Sequence, residues 1–354
     1  MTIQQLLQYV VTKRASDLHL VVGVAPTVRL DGELVQVAGE AVMAVQDVER
    51  YMAEVMTEEQ KKIFAINKDL DFSFQMEGIA RFRVNAYFQK GMTAGSFRCV
   101  PMRIPTMTEL NLPEPVKEFA KLKQGFVLVT GPTGQGKSTT LAAVIDEINR
   151  TRPVHIVTVE DPIEYVHTSA RAIVSQREVH NDTHSWEVAL RAALREDPDV
   201  VLVGEMRDFE TIAAALTIAE TGHLVFATLH TNSAAQTVDR IVDVFPENQQ
   251  PQVRLQLAST LEAVFSQRLL PKVGGGRVMA YELLAGTSAV RSAIREGRTH
   301  MIDNIIMTSG EYGMVSLESS LAAHVKAGTV TQDAASTYTG YAIDMARKLK
   351  EDKL

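Results

Sequence analysis

The 354-residue sequence contains one cysteine, Cys99. A single thiol cannot close a disulfide within the chain or build a tetracysteine zinc site. The expectation is a reducing compartment. No stretch approaches the ~18 consecutive apolar residues of a membrane-spanning helix. The opening Met1-Thr2-Ile3-Gln4-Gln5 lacks the charged start and apolar run of a secretory signal. The expected location is therefore cytoplasmic, with membrane association only through a partner. Positive charge is also in deficit: 36 Lys and Arg against 43 Asp and Glu give a net charge of -7. A mildly acidic chain is a poor match for a nucleic-acid coat, although a local basic groove is compatible with that total.

What is present is apolar material in ordinary measure. Apolar residues make up 45% and charged residues 22%, enough to bury a sizeable core. The length suits two domains at the usual ~100–200 residues each. In the first third, Ile3, Leu6, Leu7, Val10 and Val11 recur at helical spacing behind Thr2, which can cap them. Asp17–Val22 alternates as a strand. Asp31-Gly32 is a turn signal between two short strand-like runs, Thr27–Leu30 and Glu33–Val37. A second helix is predicted over Val45–Phe64, and further strands over Asp71–Phe74 and Ala80–Phe88. This region, residues 1–100, reads as an α+β domain with antiparallel hairpins.

Pro101, Pro105, Pro113 and Pro115 then crowd together. Proline removes an amide donor and disfavours helix in the preceding residue. Residues 101–113 read as an interdomain linker, either a rigid connector or a hinge. From 114 to 354 the pattern changes. Apolar runs at Phe126–Thr130, Val154–Val159, Val200–Val203 and Leu224–Thr228 alternate with helical stretches. Such runs fit an α/β domain with a mostly parallel sheet buried on both faces. Chemistry in such sheets gathers at the carboxyl ends of the strands.

Four polar clusters stand there. Gly131-Pro132-Thr133-Gly134-Gln135-Gly136-Lys137-Ser138-Thr139 matches the phosphate-loop spacing G-x-x-x-x-G-K-[ST]. Average residue usage gives such a match in only ~1 of 100 chains of this length. A strand precedes it, and a helix with Leu141, Val144, Ile145 and Ile148 on its apolar side follows. Gly131, Gly134 and Gly136 let backbone amides of the loop, including those of Thr133, Gln135 and Thr139, wrap phosphate oxygens of ATP. Lys137 reaches the β and γ phosphates, and the Ser138 hydroxyl binds Mg²⁺, partly through water.

The second cluster, Glu160-Asp161-Pro162-Ile163-Glu164, ends an apolar strand. Its carboxylates read either as holders of metal-bound or attacking water or as a solvated acidic turn. The third, Asp199 to Glu205, resembles a Walker B strand, but Gly204 stands where an aspartate usually does. Glu205 is then the candidate to polarise the lytic water. The fourth runs from Thr221-Gly222-His223 to His230-Thr231-Asn232. Gly222 can cap a helix over Phe209–Glu220. His223 suits a structural bond to a carbonyl, and His230, at a strand end, suits a γ-phosphate sensor. Arg81, Arg83 and Arg98 lie in the first region. They are either an ion-paired sheet surface or cations presented to a γ phosphate.

In this order the clusters resemble the secretion ATPase superfamily of type IV pili and type II secretion, most closely PilT-type pilus retraction ATPases. Gly131–Ser138 is similar to the family's Walker A box, Glu160–Glu164 to its Asp box, Gly204-Glu205-Met206-Arg207-Asp208 to its Walker B ending and Thr221–His230 to its His box. Ala15-Ser16-Asp17-Leu18-His19-Leu20 resembles the N-terminal strand motif. Ala289–Gly297 resembles the AIRNLIRE segment of retraction motors, with departures at Val290, Ser292 and Ala293.

The resemblance implies a PAS-like N-terminal domain, a RecA-like C-terminal domain and a homohexamer, with the nucleotide between the domains facing the first domain's arginines. It implies an inner-membrane pilus platform protein as partner, and leaves room for a paralogous retraction motor. Polymerising relatives usually carry an N-terminal extension and a four-cysteine zinc site. Their absence here favours retraction over assembly, with an accessory motor or a type II secretion ATPase as alternatives. A nucleic-acid translocase on the same core and a nucleotide-gated scaffold without turnover are the rivals from other classes.

Overall fold

The computed structural model describes every residue except 31, 101–102, 341–344, 346 and 350–354. The chain divides into two compact units: Met1–Arg103 with Pro162–Val166, and Ile104–Asp161 with His167–Leu354. Asp31 of the expected turn and Pro101 of the expected linker lie outside the described residues.

The first unit opens with helix α1 (Ile3–Lys13). Thr2 and Gln5 form a reciprocal capping box that satisfies amides the first turn leaves without partners. Ile3, Leu6, Leu7 and Val10 are buried, as their spacing requires. Strands β1 (Asp17–Leu20), β2 (Thr27–Leu30) and β3 (Glu33–Gln36) follow. β1 stops two residues short of the predicted strand.

The helix predicted over Val45–Phe64 is instead two, α2 (Val45–Val55) and α3 (Glu58–Asn67). Thr57 starts the second, accepting from the Gln60 amide while the Gln60 side chain accepts from Thr57. That local cap competes successfully with continued helical periodicity. Three long strands close the unit: β4 (Asp69–Met76), β5 (Ala80–Gln89) and β6 (Met92–Val100). All six strands pair antiparallel in the order β3-β2-β1-β6-β5-β4. One face of the sheet packs on the helices through Leu18, Leu20, Phe82, Val84 and Phe97.

In the second unit, the stretch after Arg103 is folded. Met107 and Leu112 are buried in a cluster with Val116, Val127 and Val144. A short helix, α4 (Glu114–Lys117), leads to β7 (Gly125–Thr130), α5 (Lys137–Thr151), β8 (His155–Glu160), β9 (Ile173–Glu178) and α6 (Trp186–Ala193). β10 (Val200–Val203), α7 (Phe209–Glu220), β11 (Leu224–Leu229), α8 (Ala234–Asp243) and α9 (Gln250–Thr260) continue the alternation. A long pair, β12 (Leu261–Pro271) and β13 (Arg277–Ala285), precedes α10 (Ser288–Arg295), α11 (Ile302–Thr308), α12 (Leu317–Lys326) and α13 (Gln332–Ser336).

The sheet order is β13-β12-β7-β11-β10-β8-β9, parallel throughout except for β13 at the edge. β7, β10 and β11 are buried at every position, and hydrophobic clusters cover both faces. This is the two-sided burial expected of parallel strands. It leaves the carboxyl ends of β7, β8, β10 and β11 as the places where polar side chains gather.

Candidate active site

The loop between β7 and α5 takes its shape from its glycines. Gly131, Gly134 and Gly136 have φ of 141°, 78° and 84°, backbone that side chains with a Cβ rarely adopt. Gly136 occupies the N-cap of α5, and no side chain caps that helix. The helix dipole favours an anion at that end. Lys137 is buried and curls over the loop, donating to the carbonyls of Gly131 at 2.8 Å and Pro132 at 3.1 Å. Ser138 and Thr139 lie half-buried in the first turn of α5.

Three of the predicted clusters, this loop among them, meet in one chain of contacts. His230, just beyond β11, bridges two of them. Its Nδ1 shares a hydrogen bond with Thr133 Oγ1 at 3.2 Å, and its Nε2 meets Glu205 Oε1 at 3.2 Å. Glu205 follows β10 and is gripped by both sides of the Arg207 guanidinium at 2.7 Å. Burial pushes the Glu205 carboxyl up, but the Arg207 hydrogen bond and the fields of His230, Arg207 and Lys137 outweigh it. The group lies below the ordinary carboxylate range and is ionised at neutral pH.

Glu160, at the end of β8, is buried and accepts at Oε1 from the Thr158 hydroxyl at 2.7 Å and the Gln176 amide at 3.1 Å. Such anchoring suits a held carboxylate better than a solvated turn. Asp161 and Glu164, by contrast, are exposed, and Glu164 belongs to the first unit.

Gly204 has a packing reason. A Cβ there would stand 3.2 Å from Glu160 Cα and 3.3 Å from both the Trp186 ring and the Val159 carbonyl. A side chain at the usual aspartate position would press on the β8 end, whose backbone would have to give by a few tenths of an ångström. His223 turns back onto the end of α7, with Nδ1 3.1 Å from the Ile218 carbonyl and 3.0 Å from Thr221 Oγ1, a structural role.

Arg81, Arg83 and Arg98 lie in the first unit, on the sheet face opposite its buried Ala80, Phe82 and Val84. Arg83 and Arg98 are direct cross-strand neighbours. Arg98 pairs with Asp17 at 2.9 Å and Arg83 with Asp71 at 3.5 Å.

Sequence reasoning missed β12. Gln267 donates to the Gln135 carbonyl at 2.5 Å and accepts from the Thr140 hydroxyl at 2.9 Å. Ser266 Oγ lies 2.6 Å from Thr130 Oγ1. These polar residues are buried within a strand, and no local spacing signals that.

Hard oxygen donors suit Mg²⁺, and the Ser138 hydroxyl and the Glu205 and Glu160 carboxylates are donors of that kind. Among the described residues no group of three or more His, Cys, Asp or Glu could hold a metal by itself.

A parallel sheet with a phosphate loop at the end of one strand and a carboxylate and histidine at the ends of its neighbours defines a nucleotide-site protein of the phosphate-loop class. The chain belongs to the family described as Type II/IV secretion system protein, which matches residues 1–341. It is similar to the Type IV pilus retractation ATPase PilT of Pseudomonas aeruginosa, 48% identical over 94% of this chain and 96% of that protein. The Type IV pilus ATPase PilU of the same organism is 39% identical over 99% of this chain and 92% of its own length. The crystal structure of the pilus retraction motor PilT with bound ADP superposes with a TM-score of 0.92 at 44% identity, covering 98% of this chain and 99% of that one.

Proposed function

We propose that this chain is a Mg²⁺-dependent ATPase motor that drives type IV pilus retraction from the cytoplasmic face of the inner membrane. The observation that carries the reading is the bridge Thr133–His230–Glu205, which joins the phosphate loop, the β11 end and the β10 end in one contact chain. Retraction is supported by the 48% identity to the protein named a retraction ATPase, against 39% to PilU.

ATP lays its phosphates along the backbone amides of 133–139, with Lys137 released from its two carbonyls to face the β and γ oxygens. Mg²⁺ would be held by Ser138 together with phosphate and water, and would offset phosphate charge. Glu205, already ionised, orients and polarises the attacking water, and His230 reports the γ phosphate to that carboxylate. Glu160, held by Thr158 and Gln176, is the second acid. Arg81, Arg83 and Arg98 are the cations proposed to neutralise γ-phosphate charge, exchanging their own sheet's carboxylates for the nucleotide. Six copies form the ring, and the partner it moves is a membrane platform protein. A paralogous motor is a further candidate partner. No helix of the described residues is long and apolar enough to cross a membrane.

Glu205→Gln tests the chemistry. The variant should bind ATP yet turn it over at least ~100-fold more slowly, because an amide is a poor base. Retained hydrolysis moves the base to Glu160. Deleting the gene tests the direction: excess immobile surface pili are expected, and absent pili would make the chain an assembly motor.

A further inference from the structure

Gln267 and Arg268 belong to none of the four clusters, yet their strand β12 lies directly beside β7. Both side chains are buried. Gln267 serves the phosphate loop through Gln135 and Thr140, and the following amide, Leu269 N, donates to Gln135 Oε1 at 2.6 Å. The Gln267 carbonyl lies under Gly131, where a Cβ would stand 2.5 Å from it. Arg268 reaches in a second direction. Its Nη2 donates to the Asn232 carbonyl at 2.9 Å and to Asn232 Oδ1 at 3.0 Å, while Nη1 donates to the Gln267 carbonyl at 2.9 Å.

A buried guanidinium is costly to desolvate unless its donors are used. These three acceptors are neutral oxygens, two of them backbone carbonyls, so the bonds fix the position of the backbone they meet. Asn232 is two residues beyond His230. On the far side of the same turn, Glu282 of β13 accepts from Ala234 N, the first amide of α8, at 2.7 Å. The loop that presents His230 is thus held from two neighbouring strands, and one of its two anchors also touches the carbonyl beneath the phosphate loop.

We propose that Arg268 is a positioning residue that locks the His230 loop in register with the phosphate loop, keeping His230 between Thr133 and Glu205 during turnover. The proposal rests on the nucleotide reading above. It predicts a division of labour: Gln267 supports binding, whereas Arg268 supports the chemical step, where small misplacements are costly.

Steady-state turnover, ATP binding and melting temperature are measured on the full chain for R268Q, R268K, N232A and K137A. R268Q should lower kcat about tenfold and leave the ATP dissociation constant within about twofold. R268K keeps the charge but loses the planar fork, and should recover only part of the rate. N232A removes one acceptor from an exposed residue, so it decides the matter even if R268Q fails to fold. It should lower kcat about threefold with an unchanged melting temperature. Wild-type kcat in N232A and R268Q overturns the proposal. So does full recovery in R268K, or a loss of binding as large as the loss of kcat. K137A that still binds and hydrolyses ATP overturns the nucleotide reading and the clamp with it. Lost binding in K137A beside normal turnover in R268Q overturns the clamp alone.

Discussion

On the six-stranded sheet, Arg29, Asp17, Arg98 and Arg83 follow one another across four adjacent strands, whereas on the seven-stranded sheet Lys137, Glu160, Glu205 and His230 stand at or beyond strand ends. The first row occupies the open face of an antiparallel sheet. There each cation finds a carboxylate in its own sheet, Asp17 or Asp71. Asp17 is buried, whereas the Arg83–Asp71 pair is exposed and of a kind worth about 0–1 kcal/mol. The second set is placed differently. β7, β10 and β11 are buried at every position, and these four residues stand where the strands stop. The same residue types therefore make a surface in one unit and a site in the other, and position along the strand decides which.

Substitutions can break this contrast, and the largest effect belongs to Lys137. Lys137→Ala should abolish measurable ATP binding, a loss of at least ~100-fold by calorimetry or a fluorescent nucleotide, because the cation that curls over the loop is removed. Gly204→Ala comes next. Its Cβ would press on backbone of Glu160, so we expect destabilisation of about 1–3 kcal/mol in urea melts and turnover reduced severalfold. An unchanged protein would mean that the two strand ends can part without cost.

Glu282→Gln sharpens the contrast through pH. Burial raises the Glu282 carboxyl from 4.5 to about 7, with Asp303 and Glu318 adding to it and the Ala234 amide and Arg268 opposing. A proton is held by the folded state and released by the unfolded one between those values. Stability should therefore fall as pH rises from about 4.5 to 7 and then level off. Glu282→Gln should flatten that fall, gaining on the order of 2 kcal/mol at pH 8 in melts run across pH. An equal slope in both proteins would place the titration elsewhere. The smallest effect on the ATPase is expected from Arg295→Ala. Arg295 is exposed on α10, so turnover should stay unchanged and stability within about 0.5 kcal/mol, while pilus retraction in cells is lost. Equal loss of both would make the segment structural.

Much of this was readable from the residues because it is local. The helical spacing of Ile3, Leu6, Leu7 and Val10 and the run Val200–Val203 each describe their own burial. The phosphate loop and the acidic strand ends carry their chemistry within nine residues or fewer. The split at Thr57 was readable too, in the Thr57–Gln60 capping box, but periodicity across it was the louder signal.

What the sequence concealed is non-local. β12 holds Ser266, Gln267 and Arg268 where an apolar run would be expected, and their partners lie far away along the chain: Thr130, Gln135, Thr140 and Asn232. In the family-like segment, Val290 and Ala293 face the core. Arg291 ties α10 to the carbonyls of Ala258 and Ser259 and to Glu262. Those departures and that arginine thus answer first to packing.

The closeness of the β10 and β8 ends has a steric consequence. An aspartate at position 204 would bring its Cβ to 3.2 Å from Glu160 Cα. A side chain at 204 would require the neighbouring backbone to give by a few tenths of an ångström. An engineered site carrying the commoner aspartate beside Glu205 and Glu160 would therefore have to begin by easing the turn after Glu160.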